Sequence, residues 1–160
     1  RRNLFDRVPF KTVNTIDSTA ADPEAECRRY ADLLQEYPCD IVCMGIGENG
    51  HIAFNDPHVA DFNDKKAVKV VELDETCRQQ QVNDGCFAKL SEVPTHALTL
   101  TIPTLVAPKA VFCIVPAKTK ANAVKATLRG PVTEACPASI LRRHANAALY
   151  CDADSAALIL

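Results

Sequence analysis

Glycine, net charge and long apolar runs are all scarce in this 160-residue chain, and each shortage excludes something. With 5 Gly and 10 Pro beside 48% hydrophobic residues, no repeat, low-complexity tract or linker interrupts the sequence. A chain of this length can bury roughly 70% of its unfolded surface in one core, so residues 1–160 are expected to form a single domain. The 18 Lys+Arg and 20 Asp+Glu leave a net charge of −2. Without a basic stripe, a nucleic-acid partner has no electrostatic footprint. No segment approaches the roughly 18 uninterrupted apolar residues that suggest a bilayer span, and no basic stretch followed by an apolar one marks secretion. A cytoplasmic protein is expected.

Cysteine is the one residue in excess, at Cys27, Cys39, Cys43, Cys77, Cys86, Cys113, Cys136 and Cys151. The eight form no CxxC pair, and no histidine stands at metal-finger spacing, so no metal site is predicted. Cys43 and Cys113 lie inside apolar, strand-like runs. There a free thiol acts as a small buried hydrophobe, which fits a reducing compartment better than a disulfide framework does.

The element pattern is that of an α/β domain. Asp22 can cap a helix with Pro23 at its first position, and Cys27, Tyr30, Leu34 and Tyr37 recur at steps of three and four to give it one apolar face. Asp40 to Ile46 is a nearly continuous apolar run, predicted as a strand buried on both faces. Further strands are predicted at Ala67–Val71, Ala97–Ile102, Ala110–Val115 and Ala147–Cys151, with helices at Asp74–Gln81 and Lys118–Leu128. Strands alternating with helices predict a three-layer α/β/α, Rossmann-like domain on a mostly parallel sheet.

Ligands of such sheets bind beyond the carboxyl ends of the strands, which selects the loops after Ile46, Ile102 and Val115. The first is the richest: Gly45-Ile46-Gly47-Glu48-Asn49-Gly50-His51-Ile52-Ala53-Phe54-Asn55-Asp56-Pro57. The dinucleotide fingerprint needs a long helix directly after its glycines, and none follows here. Gly47 and Gly50 still let the backbone approach a ligand closely. A histidine five residues before a carboxylate can be oriented by it and serve as acid and base near neutral pH. The plainer alternative is that His51 only caps its loop. After Val115, Lys118 and Lys120 stand beside a helix start, where a phosphate would meet free backbone donors and an ammonium. The polar stretch Cys77 to Gly85 reads as a surface helix that could also donate to a phosphorylated sugar.

The segment Gly45 to Pro57 closely resembles the active-site segment of the glucosamine-6-phosphate deaminases, relatives of the 6-phosphogluconolactonases. The likeness continues through Glu26 to Tyr30, Val93 to Leu100, Pro116 to Ala121 and Pro137 to His144. Ile52-Ala53-Phe54-Asn55 favours the deaminase branch, because the lactonases carry a different, serine-containing stretch there. The resemblance implies conversion of glucosamine 6-phosphate and water to fructose 6-phosphate and ammonia, with no cofactor. It makes His51 the ring-opening acid-base, with Asp56 where the family usually has an orienting glutamate, and Lys120 the phosphate ligand. Arg78 is a candidate second phosphate ligand. It also implies a homo-oligomer, a trimer or hexamer.

Two departures accompany the resemblance. Asn49 stands where most deaminases have an aspartate paired with the histidine. Glu48 or Asp56 would then supply the missing charge, or the substrate differs, as for galactosamine 6-phosphate. The family's first third, with its phosphate loop and the aspartate that removes the C2 proton, has no counterpart, so the chain is expected to be part of a longer polypeptide. Arg1 to Phe5 read as the end of a helix. A lactonase and a non-catalytic sugar-phosphate sensor are the rival readings.

Overall fold

A computed structural model describes residues 3–160. Of the predicted helix end at Arg1 to Phe5, Arg1 and Arg2 lie outside the described residues, and the residues that follow form turns closed by Arg7 N–H and Val8 N–H on the Leu4 carbonyl. Helix α1 spans Pro23–Glu36, and Asp22 caps it by accepting a hydrogen bond from the Ala25 amide. Its inner face is narrower than predicted. Cys27 is buried, but Tyr37 follows the last turn and is exposed.

Three strands, β1 (Ile41–Met44), β4 (Ala110–Val115) and β5 (Ala147–Cys151), form a parallel sheet in the order β1-β4-β5. Between them in sequence come β2 (Val68–Glu72), α2 (Glu75–Asn83), β3 (His96–Leu100) and α3 (Ile102–Val106). Strands β2 and β3 pair antiparallel as a separate ribbon, with Val70 opposite Leu98. The predicted strand through Ile102 therefore stops at Leu100, because Pro103 starts a short helix after Thr101. A 3₁₀ turn at Lys118–Lys120 leads into α4 (Ala121–Arg129), and the late helix at Pro137–Arg143 is also 3₁₀.

The core lies on one face of the parallel sheet. Val111, Cys113 and Val115 from β4 pack against Ile102 and Leu105 of α3, Val124 of α4 and Ile140 and Leu141 of the 3₁₀ helix. Strand register places Ile41, Cys43, Phe112, Ile114 and Tyr150 on the opposite face. That face stays open among the described residues, with Ile41 57% and Tyr150 53% exposed. The expectation that β1 is buried on both faces, and Cys43 with it, is therefore corrected. An apolar run records that a strand face wants cover without saying which residues provide it. All eight cysteines are unpaired. No helix among the described residues is long and apolar enough to cross a membrane.

Candidate active site

Strands β1 and β4 are parallel neighbours, so the loops leaving their carboxyl ends meet. Between them is an open cavity of about 330 Å³, lined by Gly45, Ile46, Gly47, His51 and Ala53 on one side. Ile114, Val115, Pro116 and Lys120 line the other, with Gln80 of α2 at the rim. The size falls in the range of small-molecule sites. The loop after Ile102 takes no part in it, and Lys118 is exposed outside it.

Loop 45–57 is fastened at several points. Gly47 N–H donates to the His51 carbonyl, and Gly50 N–H to the Gly47 carbonyl. The Asn55 side-chain amide donates to the carbonyls of Ile52 and Leu100, and Phe54 N–H donates to Thr99 Oγ1, tying the loop to β3. Two residues beside the cavity, Ala53 (φ 49°) and Ala117 (φ 84°), hold left-handed backbone. Such conformations persist only where the surroundings over-determine them. Ala117 is held in part by its N–H, which donates to Asp152 Oδ2 at 2.9 Å.

This scaffold fixes the His51 ring. Its Nδ1 lies 2.8 Å from Asn49 Oδ1 and 2.9 Å from Asp56 Oδ1. Two oxygen acceptors at one nitrogen place the ring proton on Nδ1 in the neutral form and leave Nε2 as the nitrogen available to the cavity. Asn49 also bridges the acidic side, since its Nδ2 donates to Asp56 Oδ1 and Asp74 Oδ2, each at 3.0 Å. Of the two carboxylates that could make up for an aspartate at position 49, Asp56 touches the ring directly. Glu48 instead uses its backbone N–H, which donates to Gln80 Oε1.

The two glycines have different jobs from close ligand approach alone. A β-carbon on Gly47 would sit 2.1–2.4 Å from the His51 ring atoms, so this glycine makes room for the imidazole. Gly50 has φ +85°, and a β-carbon there would meet Cys136 Sγ at 2.8 Å. Gly50 is absent from the cavity lining.

With this geometry the comparisons become specific. Residues 1–150 match the family model for glucosamine-6-phosphate isomerases and 6-phosphogluconolactonase. The chain belongs to that family. A glucosamine-6-phosphate deaminase of Bacillus thuringiensis is 40% identical over 158 residues, which cover 99% of this chain and 58% of that protein. The protein of the same name from Bacillus anthracis matches equally. A solved structure described as a monomeric glucosamine-6-phosphate deaminase superposes with a TM-score of 0.81 at 39% identity, over 88% of this chain and 56% of that one. The 6-phosphogluconolactonase of Trypanosoma brucei, at 20% identity and a TM-score of 0.68 over 90% of this chain and 56% of its own, shares the fold. The chain thus spans a little over half the length of the curated relatives it matches.

Within the family site, Asp56 is fully buried. Burial alone would raise its pKa, but hydrogen bonds from His51 and Asn49 and the charge of His51 outweigh that and hold it below the ordinary 3.8. A lowered carboxylate contributes stability that is fully present above its unfolded value and is lost as pH falls through the folded one. Asp56→Asn is therefore expected to flatten the acid limb of a urea-midpoint-against-pH curve below about pH 4. An unchanged acid limb would show that the ionised Asp56 contributes nothing to the fold.

Arg78 is not brought to the cavity. Its guanidinium donates to the carbonyls of Leu90 (2.9 Å) and Val93 (3.1 Å), closing the loop between α2 and β3. Arg78→Met is expected to lower the thermal midpoint by a few degrees, as loss of about 1–3 kcal/mol would, with KM for a sugar phosphate unchanged. A raised KM at unchanged stability would return Arg78 to the phosphate. Two neighbours had no catalytic signal in the sequence. Asp74, the α2 N-cap, shares Asn49 with Asp56, and Cys77 is buried beside them. Burial, with the nearby charges of Asp56 and Asp74, pushes the Cys77 thiol up to about 12.

Proposed function

We propose that this chain carries the ring-opening and phosphate-holding half of a glucosamine-6-phosphate deaminase, which converts glucosamine 6-phosphate and water to fructose 6-phosphate and ammonia. The observation that carries the reading is His51, locked at Nδ1 by Asp56 and Asn49, on one wall of a cavity whose other wall presents Lys120. Lys120 stands at the start of α4, so a phosphate beside it meets an ammonium and helix-terminal N–H groups. Anchoring that end of the sugar presents its ring oxygen to His51 Nε2.

The chemistry then follows from the hydrogen bonds. His51 accepts the proton of the C1 hydroxyl at Nε2 and returns a proton to the ring oxygen, opening the pyranose. During the transfer the ring is an imidazolium, and Asp56 supplies the negative charge that Asn49 cannot. The next step removes the C2 proton. None of the described residues lining the cavity is a carboxylate that could take it.

Ring opening is measurable by itself. Exchange between the α and β anomers of glucosamine 6-phosphate, followed by NMR, is expected to speed up with the chain and to return to the solution rate with His51→Ala. Exchange at the solution rate with wild-type, folded protein would overturn the reading. Eight unpaired cysteines support a reducing compartment such as the cytoplasm for the reaction. The relative described as monomeric favours a single copy over the trimer or hexamer expected from the resemblance, and light scattering decides between them.

A further inference from the structure

Cys77 enters none of these steps, yet it stands at their centre. It occupies the first turn of α2, where its N–H donates to Asp74 Oδ1 at 2.6 Å. Its Sγ, a ring nitrogen of His51 and a carboxylate oxygen of Asp56 all lie within 4.8 Å of one another. The three residues are 2%, 8% and 0% exposed. Imidazole nitrogen, carboxylate oxygen and thiolate sulfur are the donor types that Zn²⁺ takes, and three protein donors with one further position make its usual four-coordinate site.

We propose that His51, Asp56 and Cys77 bind Zn²⁺ or a similar borderline-soft dication, and that this binding shuts off proton transfer by His51. Tetrahedral donors at zinc bond lengths stand roughly 3.3–3.8 Å apart, so the cluster closes by about 1 Å around the ion while the 2.9 Å His51–Asp56 contact widens. Asn49 Oδ1, 2.8 Å from His51 Nδ1, is an oxygen at hand for the fourth position. Asp74, joined to Asp56 through the Asn49 amide, adds a second carboxylate around the dication. Sequence spacing gives no hint of the site, because Cys77 lies in the first turn of α2, 26 residues after His51 and 21 after Asp56.

Coordination at Cys77 Sγ and His51 Nδ1 releases the thiol proton to solvent and shifts the ring proton from Nδ1 to Nε2, so that the ring stays neutral and Nε2 can no longer accept a proton. The metal then replaces the hydrogen bond through which Asp56 orients the ring and stabilises its imidazolium form. The inhibition rests on the deaminase reading, whereas the binding does not.

The test uses the chain with its exposed Cys39, Cys43, Cys86 and Cys151 changed to serine. Co²⁺ titration is expected to give one site per chain with a thiolate-to-cobalt charge-transfer band, and competition against a chromogenic chelator gives the Zn²⁺ affinity. In the same background Cys77→Ser should abolish the band and weaken Zn²⁺ binding roughly tenfold or more. Asp56→Asn and His51→Gln should weaken it similarly, and they carry the test if Cys77→Ser does not fold. In the active polypeptide, Zn²⁺ should inhibit, and Cys77→Ser should keep its basal turnover while resisting Zn²⁺ to a similar factor. Equal Zn²⁺ affinity in all four proteins, or no thiolate band, would overturn the site. Binding without any deaminase activity would leave the site standing and remove the deaminase reading alone.

Discussion

In the polypeptide that turns over glucosamine 6-phosphate, His51→Ala is expected to lower kcat by roughly 10²–10⁴-fold, the range of a lost general acid-base. The thermal midpoint should move little, because the ring lines an open cavity and Asp56 keeps its hydrogen bond from Asn49. His51→Gln refines the test, since its amide can still donate to Asp56 but cannot shuttle a proton. Equal losses in both variants assign the effect to proton transfer. Activity within a few-fold of wild type in either would place the ring-opening group elsewhere.

Nearly as large an effect is expected from one methyl group. Gly47→Ala puts a β-carbon 2.1–2.4 Å from the His51 ring, well inside contact distance. The imidazole is held at Nδ1 by Asn49 and Asp56, so it cannot swing away without giving up the contacts that orient it. A displacement of about 1 Å at a reacting group costs about 10²-fold, and kcat should fall by that much. Gly47 has no left-handed backbone that would strain an alanine, so the fold should survive. Circular dichroism separates the two effects. Full activity in Gly47→Ala would show that the ring has freedom which the hydrogen bonds deny it.

Much of this site could be read before the fold was seen, for definite reasons. Three glycines, a histidine and an aspartate after an apolar strand mark a loop at a carboxyl end, and the same rule selects Lys118 and Lys120 after β4, of which the family resemblance singles out Lys120. The structure brings Asn49, His51 and Asp56 into direct contact and puts Lys120 across the cavity. What could not be read depended on partners distant in sequence. Alternation at Val68–Glu72 and His96–Leu100 indicates strands but not their mutual direction, so the antiparallel ribbon was missed. Arg78 looked like a phosphate ligand because charge alone does not reveal that two backbone carbonyls, 12 and 15 residues away, claim it. Cys77 read as the start of a polar surface helix because its neighbours, His51 and Asp56, lie on a separate loop.

The most direct measurement of the central claim is simultaneous assay of ammonia and fructose 6-phosphate from glucosamine 6-phosphate, using the complete polypeptide and its His51→Ala variant. Equal release of both products, lost in the variant, is the expected result. Hydrolysis of 6-phosphogluconolactone with no ammonia from the amino sugar would contradict it.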